Sequence, residues 1–250
     1  MSRVEILGVG FDPVDLDGAV ERITAFIARR RPHLVVTANV EMVMRARRTP
    51  DLREILAHAA LVVADGVGVV WGARWLGRPL PGRVPGIDLA TRLCGEASRR
   101  GWRVYLLGGA PGIAAAAAAR LREGHPGMAI VGIGNGYFGP EEDGDVVRAI
   151  RDASPTLLLA GLGAPRQERW LSLHLDALGV PVVMGVGGTL DVWAGRARRA
   201  PRVMQALGLE WCYRLLRQPR RLSRQLAIPH FIAVISLHRL RTLLRQRRVR

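Results

Sequence analysis

The first candidate for chemistry is a lone carboxylate, Asp65, which follows the apolar run Leu61–Ala64 and precedes Gly66. Four apolar residues before a polar residue and a glycine predict a buried strand that ends at Asp65. A carboxylate at a strand end can act as a general base that removes the proton from an attacking hydroxyl group. The glycine behind it lets a ligand approach the backbone closely. A helix cap or an Asx turn would explain Asp65 equally well, so both interpretations stay open.

Two further loops carry polar side chains where a predicted strand gives way to a helix. Thr37 and Asn39 supply a hydroxyl and an amide at the end of the apolar segment 33–37, although either residue could simply cap the next helix. Arg83 precedes a turn at Pro85, where its planar guanidinium would suit a diphosphate or a carboxylate. A solvated loop arginine is the alternative. These residues are therefore candidates for substrate binding.

Glycine-rich turns follow several predicted strands, at Gly108, Gly136, Gly161 and Gly187. Backbone amides at the start of a helix bind phosphate well, so each turn is a candidate phosphate contact. No turn matches the P-loop sequence, and the turn at Gly161 continues into Pro165 and Arg166 instead of the third glycine of a dinucleotide-binding fingerprint. Gln167 adds an amide at the same edge. Tight turns use glycine in any such fold, so each turn alone is weak support for a site.

The sequence contains none of the usual metal or nucleophile motifs. It lacks an HExxH segment, an Asp-x-Asp pair and a nucleophile elbow, and its six histidines form no ligand pair. We therefore expect chemistry without a metal or a cofactor. Its two cysteines, Cys94 and Cys212, make no disulfide framework, which is typical of a reducing cytosol.

Short apolar runs alternate with helical patterns over most of the chain, which predicts βαβ units around a mostly parallel, Rossmann-like sheet with helices on both faces. We predict strands at residues 4–9, 33–37, 61–64, 104–107, 129–133, 156–161 and 182–186. Helices are predicted at residues 17–29, with Asp17 as the cap, and at 87–99 and 113–122. In such a sheet the ligand binds at the carboxyl ends of the strands, where the loops described above lie.

The positive charge is concentrated at one end of the chain. The formal net charge is +16, of which residues 1–195 carry +2 and residues 196–250 carry +14, all of it from arginine. The strand pattern also stops near Gly195, and prolines then separate segments that look like short helices. We therefore predict an α/β catalytic domain at 1–195 and a basic helical appendage at 196–250. Such a positive charge predicts a negatively charged partner, which could be nucleic acid, an anionic membrane surface or a phosphorylated substrate.

The spacing of Arg214, Arg217, Arg221 and Arg224 would place the four residues on one face of a continuous helix, although Pro219 should bend it. Such a basic amphipathic element is typical of contact with anionic lipid, and a solvated helix end is the plain alternative. The longest apolar run of the appendage, residues 231–237, is too short to span a bilayer. The N-terminus has no signal-peptide pattern. We expect a cytoplasmic protein that crosses no membrane.

Taken in order, these loops resemble the WecG/TagA/CpsF family of bacterial glycosyltransferases over about residues 4–226. The resemblance rests on TANVE at 37–41, ADG at 64–66, RVPGID at 83–88, GGAPG at 108–112, GYF at 136–138, GLGAPRQE at 161–168, GVGGTLD at 185–191, RAP at 199–201, GLEWCYRL at 208–215 and PRR at 219–221. Single pieces are ordinary, but the ordered set is highly specific.

The resemblance implies an inverting transfer of N-acetylmannosamine, or its uronic acid, from a UDP donor to a polyprenyl-diphosphate-linked sugar at the inner face of the bacterial cell membrane. Asp65 matches the family's proposed general base. Thr37, Asn39, Arg83 and Gln167 match polar residues of its substrate pocket, and we add the turns at Gly108, Gly136 and Gly187. The appendage corresponds to a part thought to dock on the membrane, with Arg214, Arg221 and Arg224 at phosphate-contacting positions.

Two other classes stay open at this point. A nucleotide-dependent oxidoreductase would explain the glycine turns, although the missing third glycine argues against it. A nucleic-acid-binding module would explain the pI of about 11.6. However, the appendage offers few aromatic side chains between its arginines. Neither the particular sugar nor the oligomeric state follows from the residues, and a homo-oligomer is among the alternatives.

Overall fold

The computed structural model describes residues 2–206, 208–217 and 226–248. Six strands form one sheet: β3 (His33–Ala38), β4 (Leu61–Ala64), β5 (Arg103–Gly108), β6 (Ala129–Gly134), β7 (Leu157–Gly161) and β8 (Val182–Gly185). Their order across the sheet is β4-β3-β8-β7-β5-β6, and all neighbouring strands are parallel. The carboxyl ends of all six strands therefore meet at one edge.

Helices cover both faces of this sheet, which confirms the predicted α/β class. One face carries α1 (Leu16–Arg29), α5 (Gly86–Arg100), α6 (Ile113–Gly124) and α10 (Thr189–Trp193). The other carries α2 (Val40–Ala46), α3 (Pro50–His58), α4 (Val67–Trp75), α7 (Asp143–Asp152), α8 (Arg166–Leu173) and α9 (Leu175–Leu178). Successive strand residues point to opposite faces, so Val35 joins one core and Val36 joins the other. The covered strands β4, β7 and β8 contain only apolar residues and glycine, as expected from the sequence.

The N-terminal segment differs from the prediction in two details. The single strand expected at 4–9 is wrong, because the chain turns at Leu7 and Gly8, both with positive φ, into an antiparallel hairpin of β1 (Val4–Ile6) and β2 (Val9–Phe11). The cap of α1 is Asp15, not Asp17: its side chain accepts a hydrogen bond of 2.9 Å from the Gly18 N–H. Asp17 lies in the first helical turn instead.

The C-terminal segment is helical, as predicted, but its last helix is longer than expected. Two short helices, α11 (Arg202–Ala206) and α12 (Glu210–Arg217), precede a helix of 22 residues that we call the C-terminal helix (Ala227–Arg248). Pro229 does not interrupt it, because a proline in the first turn removes no helical hydrogen bond. Phe231 and Ile235 of this helix are buried in the same core as α2 and α4. The boundary at residue 195 thus separates a nearly neutral part of the chain from a basic part. That residues 196–250 form a separate appendage stays a prediction.

The sheet opens crevices where neighbouring strands lead to helices on opposite faces. The chain leaves β3 toward α2 on one face and leaves β8 toward α10 on the other, and β5 and β7 diverge in the same way toward α6 and α8. In parallel α/β sheets, ligands bind in such crevices outside the carboxyl ends of the strands. The topology therefore places the candidate loops around a shared opening.

A buried carboxylate, Asp12, ties the hairpin to the sheet. Its oxygens accept hydrogen bonds from the guanidinium groups of Arg3 (3.0 Å) and Arg22 (2.8 Å) and from the Val62 N–H of β4 (2.9 Å). The Asp12 N–H in turn donates to the Val62 carbonyl at 2.8 Å. One side chain thus pairs with two arginines and holds the hairpin against β4.

We expect Asp12→Ala to lower the free energy of unfolding by about 3 kcal/mol, because it removes the negative charge between two partly buried arginines and leaves the buried Val62 N–H without its side-chain acceptor. The matched control is Asp17→Ala, which breaks an exposed ion pair with Arg92 and should cost less than about 1 kcal/mol. Urea denaturation followed by circular dichroism measures both. Equal effects of the two substitutions would contradict the anchoring role of Asp12.

Candidate active site

Asp65 lies at the carboxyl end of β4, in the middle of three loops. Its backbone N–H donates to the carbonyl oxygen of Ala38 at 2.9 Å, and the Val84 N–H donates to the carbonyl oxygen of Ala64 at 2.7 Å. The loops after β3, after β4 and before α5 are therefore fixed to one another. Asp65 itself is half-buried. A Cβ atom added to the next residue, Gly66 (φ +133°), would meet nothing within 4 Å, so there is open space beside the backbone of Gly66.

The structure brings Thr37 and Asn39 to the same place as Asp65. Gly86, at the start of α5, packs directly on Thr37, since a Cβ atom there would lie 2.8 Å from the Thr37 hydroxyl oxygen. The Asn39 side-chain oxygen accepts a hydrogen bond of 3.0 Å from the Met42 N–H and caps α2. The capping interpretation of Asn39 is therefore confirmed, and substrate contacts of Thr37 and Asn39 stay predictions.

Arginines anchor the basic C-terminal segment over this part of the sheet edge. Arg83 donates a hydrogen bond of 2.7 Å to the carbonyl oxygen of Gln205 in α11. Arg199 donates hydrogen bonds to both carboxylate oxygens of Asp88 in α5, at 2.5 and 2.8 Å. The Nε atom of Arg199 lies 3.9 Å from the carboxylate of Glu210 in α12. Arg83, which we expected to contact substrate, thus holds the C-terminal segment in this structure.

Arg199 also couples this anchor electrostatically to the candidate base. The hydrogen bonds from Arg199 to Asp88 raise the pKa of the guanidinium, and the charges of Glu210 and Asp65 act in the same direction. Arg199 is therefore a cation whose field reaches Asp65. The sequence contains the Arg199-Ala200-Pro201 motif, but no spacing rule links residues 111 positions apart, so the sequence alone does not identify Arg199 or Asp88 as site residues.

The glycine turns at the carboxyl edge of the sheet contact one another through their backbone atoms. A Cβ atom on Gly108 would overlap the Gly161 carbonyl group, and one on Gly161 would lie 2.7 Å from the Gly187 oxygen. Gly136 packs on the same turn, because its Cβ position is 3.1 Å from the Gly108 Cα atom. The turns after β5, β6, β7 and β8 therefore form one contiguous backbone surface. Phosphate binding by its amides stays a prediction.

Two side chains at the start of α8 hold these turns in place. Arg166 donates to the carbonyl oxygens of Gly136 (2.9 Å) and Phe138 (2.8 Å). The buried Gln167 accepts a hydrogen bond of 3.0 Å from the Gly187 N–H and donates one of 2.7 Å to Glu168 Oε1. The oxygen and one N–H of the Gln167 amide are thus engaged within the protein. In this structure Gln167 positions the turn after β8, and a contact with substrate stays a prediction.

Glu168 is a buried acid that the sequence reasoning did not assign to the site. Its Oε1 accepts the hydrogen bond from Gln167, whereas its buried Oε2 accepts none from the described residues. Burial raises the pKa of this carboxyl group, and the hydrogen bond from Gln167 only partly offsets the effect. The neutral, protonated form therefore suits the site best.

We expect the stability difference between the wild type and Glu168→Gln to depend on pH. The folded-state pKa of Glu168 is raised, so its contribution is fully present below about pH 4.3, the unfolded value, and is lost as the pH rises through the folded-state pKa. Glu168→Gln keeps an acceptor for Gln167 and cannot ionise. The wild type should therefore lose stability relative to this variant as the pH rises, measured by urea denaturation across a pH series.

Glu96→Gln is the matched control, because Arg100 and Arg99 lower the pKa of Glu96. The contribution of Glu96 should be present above about pH 4.3 and lost as the pH falls, which is the opposite sign. If Glu168→Gln shows no pH-dependent difference from the wild type, Glu168 is not a buried, neutral acid.

Three further observations concern metal, membrane and thiol chemistry in the part of the chain that the structure describes. Within residues 2–206, 208–217 and 226–248, no three histidine, cysteine or acidic side chains form a group that could hold a metal ion. In the same ranges, every helix is too short or too polar to cross a membrane. Burial raises the pKa of the Cys94 thiol to about 12, so Cys94 is not a thiolate nucleophile at neutral pH.

The arginines predicted to contact phosphate are described only in part. Arg214 lies in α12. The first residue of this helix, Glu210, lies beside Arg199. Arg221 and Arg224 lie outside the described residues. The predicted basic face through these three arginines therefore stays a prediction.

The fold and the site together define a class of protein. A parallel, Rossmann-like sheet with a half-buried carboxylate, arginines and a surface of glycine turns at its carboxyl edge is typical of an enzyme that binds a phosphorylated ligand. A narrower assignment follows from comparison with known proteins.

The sequence matches the glycosyl transferase WecG/TagA/CpsF family over residues 4–246. It is also 35% identical over 237 residues to proteins named N-acetylglucosaminyldiphosphoundecaprenol N-acetyl-beta-D-mannosaminyltransferase from Staphylococcus aureus strains MW2 and NCTC 8325 / PS 47. These alignments cover 94% of this chain and 92% of each relative. The chain therefore belongs to the WecG/TagA/CpsF family, and the protein is a glycosyltransferase.

Proposed function

We propose that this glycosyltransferase moves N-acetylmannosamine from a UDP donor to N-acetylglucosamine linked through diphosphate to a polyprenol, with inversion at the anomeric carbon and without a metal ion. The observation that carries the proposal is the position of Asp65, a half-buried carboxylate where three loops meet, next to the open side of Gly66. The names of the Staphylococcus aureus relatives supply the sugar and the acceptor.

In this mechanism Asp65 is the general base. The acceptor hydroxyl loses its proton to the Asp65 carboxylate as its oxygen attacks the anomeric carbon from the side opposite UDP. The new carbon–oxygen bond forms while the bond to the diphosphate breaks, and UDP leaves with the electron pair. A single displacement of this kind inverts the anomeric configuration. Asp65 would be a catalytic residue because it touches the reacting hydroxyl.

The negative charge that develops on the leaving diphosphate needs stabilisation, which a metal ion supplies in many transferases. Two features of this chain could replace it: backbone N–H groups at the surface of glycine turns, and arginines of the C-terminal segment. Arg199 already lies close enough to influence Asp65 electrostatically. Arg214, Arg221 and Arg224 are candidates for the same role, and Thr37, Asn39 and Arg83 for orienting the sugars.

A polyprenyl acceptor also implies a membrane, where residues 196–250 would dock. Their charge of +14 suits an anionic surface, to which each arginine adds attraction within a Debye length. The protein would then act as a peripheral enzyme at the cytoplasmic face. Membership of a glycosyltransferase family replaces the oxidoreductase and nucleic-acid hypotheses.

We expect Asp65→Asn to lower kcat by about 10²- to 10⁴-fold with little change in the KM for the donor, since it removes the base and keeps the shape of the side chain. The assay follows transfer from UDP-N-acetylmannosamine to a short-chain lipid-diphosphate-N-acetylglucosamine. Other UDP-sugars serve as competing donors and should react more slowly.

The matched control is Asp51→Asn, which removes an exposed carboxylate paired with Arg169 in α8 and should leave kcat unchanged. If Asp65→Asn keeps the wild-type kcat, Asp65 is not the general base. A wild-type protein that transfers no sugar from any UDP donor to this acceptor would overturn the proposed function itself.

We also expect the transfer rate to survive removal of divalent metals. Dialysis against EDTA should change kcat by less than about twofold, and adding Mg²⁺ or Mn²⁺ should not raise it, because arginines and backbone amides would carry the diphosphate charge. A loss of activity that Mn²⁺ restores would contradict the metal-independent mechanism. It would not affect the role of Asp65.

A further inference from the structure

An exposed apolar stripe begins next to the candidate base and runs along α4. Val67 starts this helix two residues after Asp65, and Val67, Trp71 and Trp75 follow one another at intervals of four. All three are exposed, Trp71 and Trp75 each by 38%, and the two indole rings stack with their centroids 5.4 Å apart. Large aromatic side chains exposed as a pair are unusual on a protein surface and mark an interaction site.

The C-terminal helix packs beside α4 and extends this surface. Phe231 and Ile235 lie against Gly72, where an added Cβ atom would be 2.6 Å from the Phe231 ring and 2.9 Å from Ile235 Cδ1. The missing Cβ atom of Gly72 lets the two helices approach closely. Arg239, one turn further along, places its guanidinium 4.7 Å from the centre of the Trp75 ring. The two helices therefore form one continuous surface.

The outer side of the C-terminal helix is also apolar. Leu237, Leu240 and Leu244 are each more than half exposed and are spaced by three and four residues, so they share one side of the helix. At 100° per residue this side is turned away from Phe231 and Ile235, which face the core. We call the combination of Val67, Trp71, Trp75, Leu237, Leu240 and Leu244 the apolar face.

The charged side chains that α4, the residues just after it and the C-terminal helix carry are all arginines. Arg74 and Arg78 are exposed at the end of α4, and Arg239 and Arg241 flank the leucines. The sequence has no acidic residue between Gly66 and Ile87 or after Glu210. A second copy of this chain docking through the same face would bring like charges together. An anionic bilayer instead offers negative headgroups to the arginines and acyl chains to the apolar side chains.

We propose that the apolar face is the membrane-contacting surface of this enzyme, with the rings of Trp71 and Trp75 inserted at the headgroup level of an anionic bilayer. The inference rests on the proposed function and adds a part of the α/β body to the contact, not the basic appendage alone. Indole rings prefer this depth because one edge is apolar and the N–H can still meet water or headgroups.

This arrangement would also set the position of the catalytic carboxylate relative to the membrane. Val67, the first residue of the apolar face, follows Asp65 by only two residues. With the apolar face on the bilayer, α4 would lie along the surface and Asp65 would stand close to the headgroups. A sugar joined to its lipid through a diphosphate also lies at the headgroup level, so this contact would bring the acceptor to the base.

The test uses the full-length protein with vesicles of phosphatidylcholine containing phosphatidylglycerol, some with brominated acyl chains that quench tryptophan fluorescence. The wild type should bind and be quenched. Trp71→Ser/Trp75→Ser should bind the vesicles at least about tenfold more weakly, and Trp71→Phe/Trp75→Phe should bind but lose most of the quenching. Leu173→Ser is the control, because it replaces an exposed leucine of α8 outside the apolar face and should bind like the wild type.

Thermal denaturation checks that each variant is folded, and transfer to a water-soluble short-chain acceptor checks the reaction separately. The tryptophan variants should keep wild-type kcat with this acceptor, since neither side chain touches reacting atoms. Unchanged vesicle binding and quenching in these variants would overturn the inference and leave the proposed function intact.

A wild-type dimer that Trp71→Ser/Trp75→Ser converts to a monomer would also overturn the inference, because the apolar face would then bind a second copy of the chain. Failure of the wild type to transfer sugar would remove the proposed function alone.

Discussion

The turns at the carboxyl edge of the sheet touch one another through their backbones, and this close contact is the constraint on which the site depends. A Cβ atom on Gly108 would overlap the backbone of Gly161, and one on Gly161 would crowd the backbone oxygen of Gly187. Because the strands are about 4.8 Å apart, only glycine lets the chain turn sharply and still meet the next turn. Backbone amides can then face a common opening. Gln167 and Arg166 hold this surface from the side of α8.

The C-terminal segment is joined to this edge by polar contacts near the candidate base and by apolar contacts away from it. Arg199 pairs with Asp88 close to Asp65, whereas Phe231 and Ile235 complete the core beside α4. A charged contact of this kind is selective but sensitive to salt, and apolar burial adds stability that salt does not screen. The described part of the basic segment is thus held against the α/β body, with Arg199 near Asp65.

Much of the fold could be predicted because its signals are local. Apolar runs of four to six residues, glycine turns and helical periodicity identified all six strands of the parallel sheet and the helices at Leu16, Gly86 and Ile113. The errors have local causes as well. Two residues with positive φ turned a single strand into the hairpin, and Pro229 fell in a first turn where a helix tolerates it. Neither conformation follows from hydrophobicity alone.

By itself, the sequence determined the class of fold, the family resemblance and the candidate residues at strand ends, because each depends on residue type and short spacing. Only the tertiary structure decided which of these residues form hydrogen bonds within the protein itself. Asn39 caps a helix, Gln167 is satisfied by Glu168 and Gly187, and Arg83 binds a backbone carbonyl. It also revealed the pairing of Arg199 with Asp88 and the apolar face beside Asp65. Such contacts join residues far apart in the chain, and their partners depend on how the helices pack, which no local pattern records.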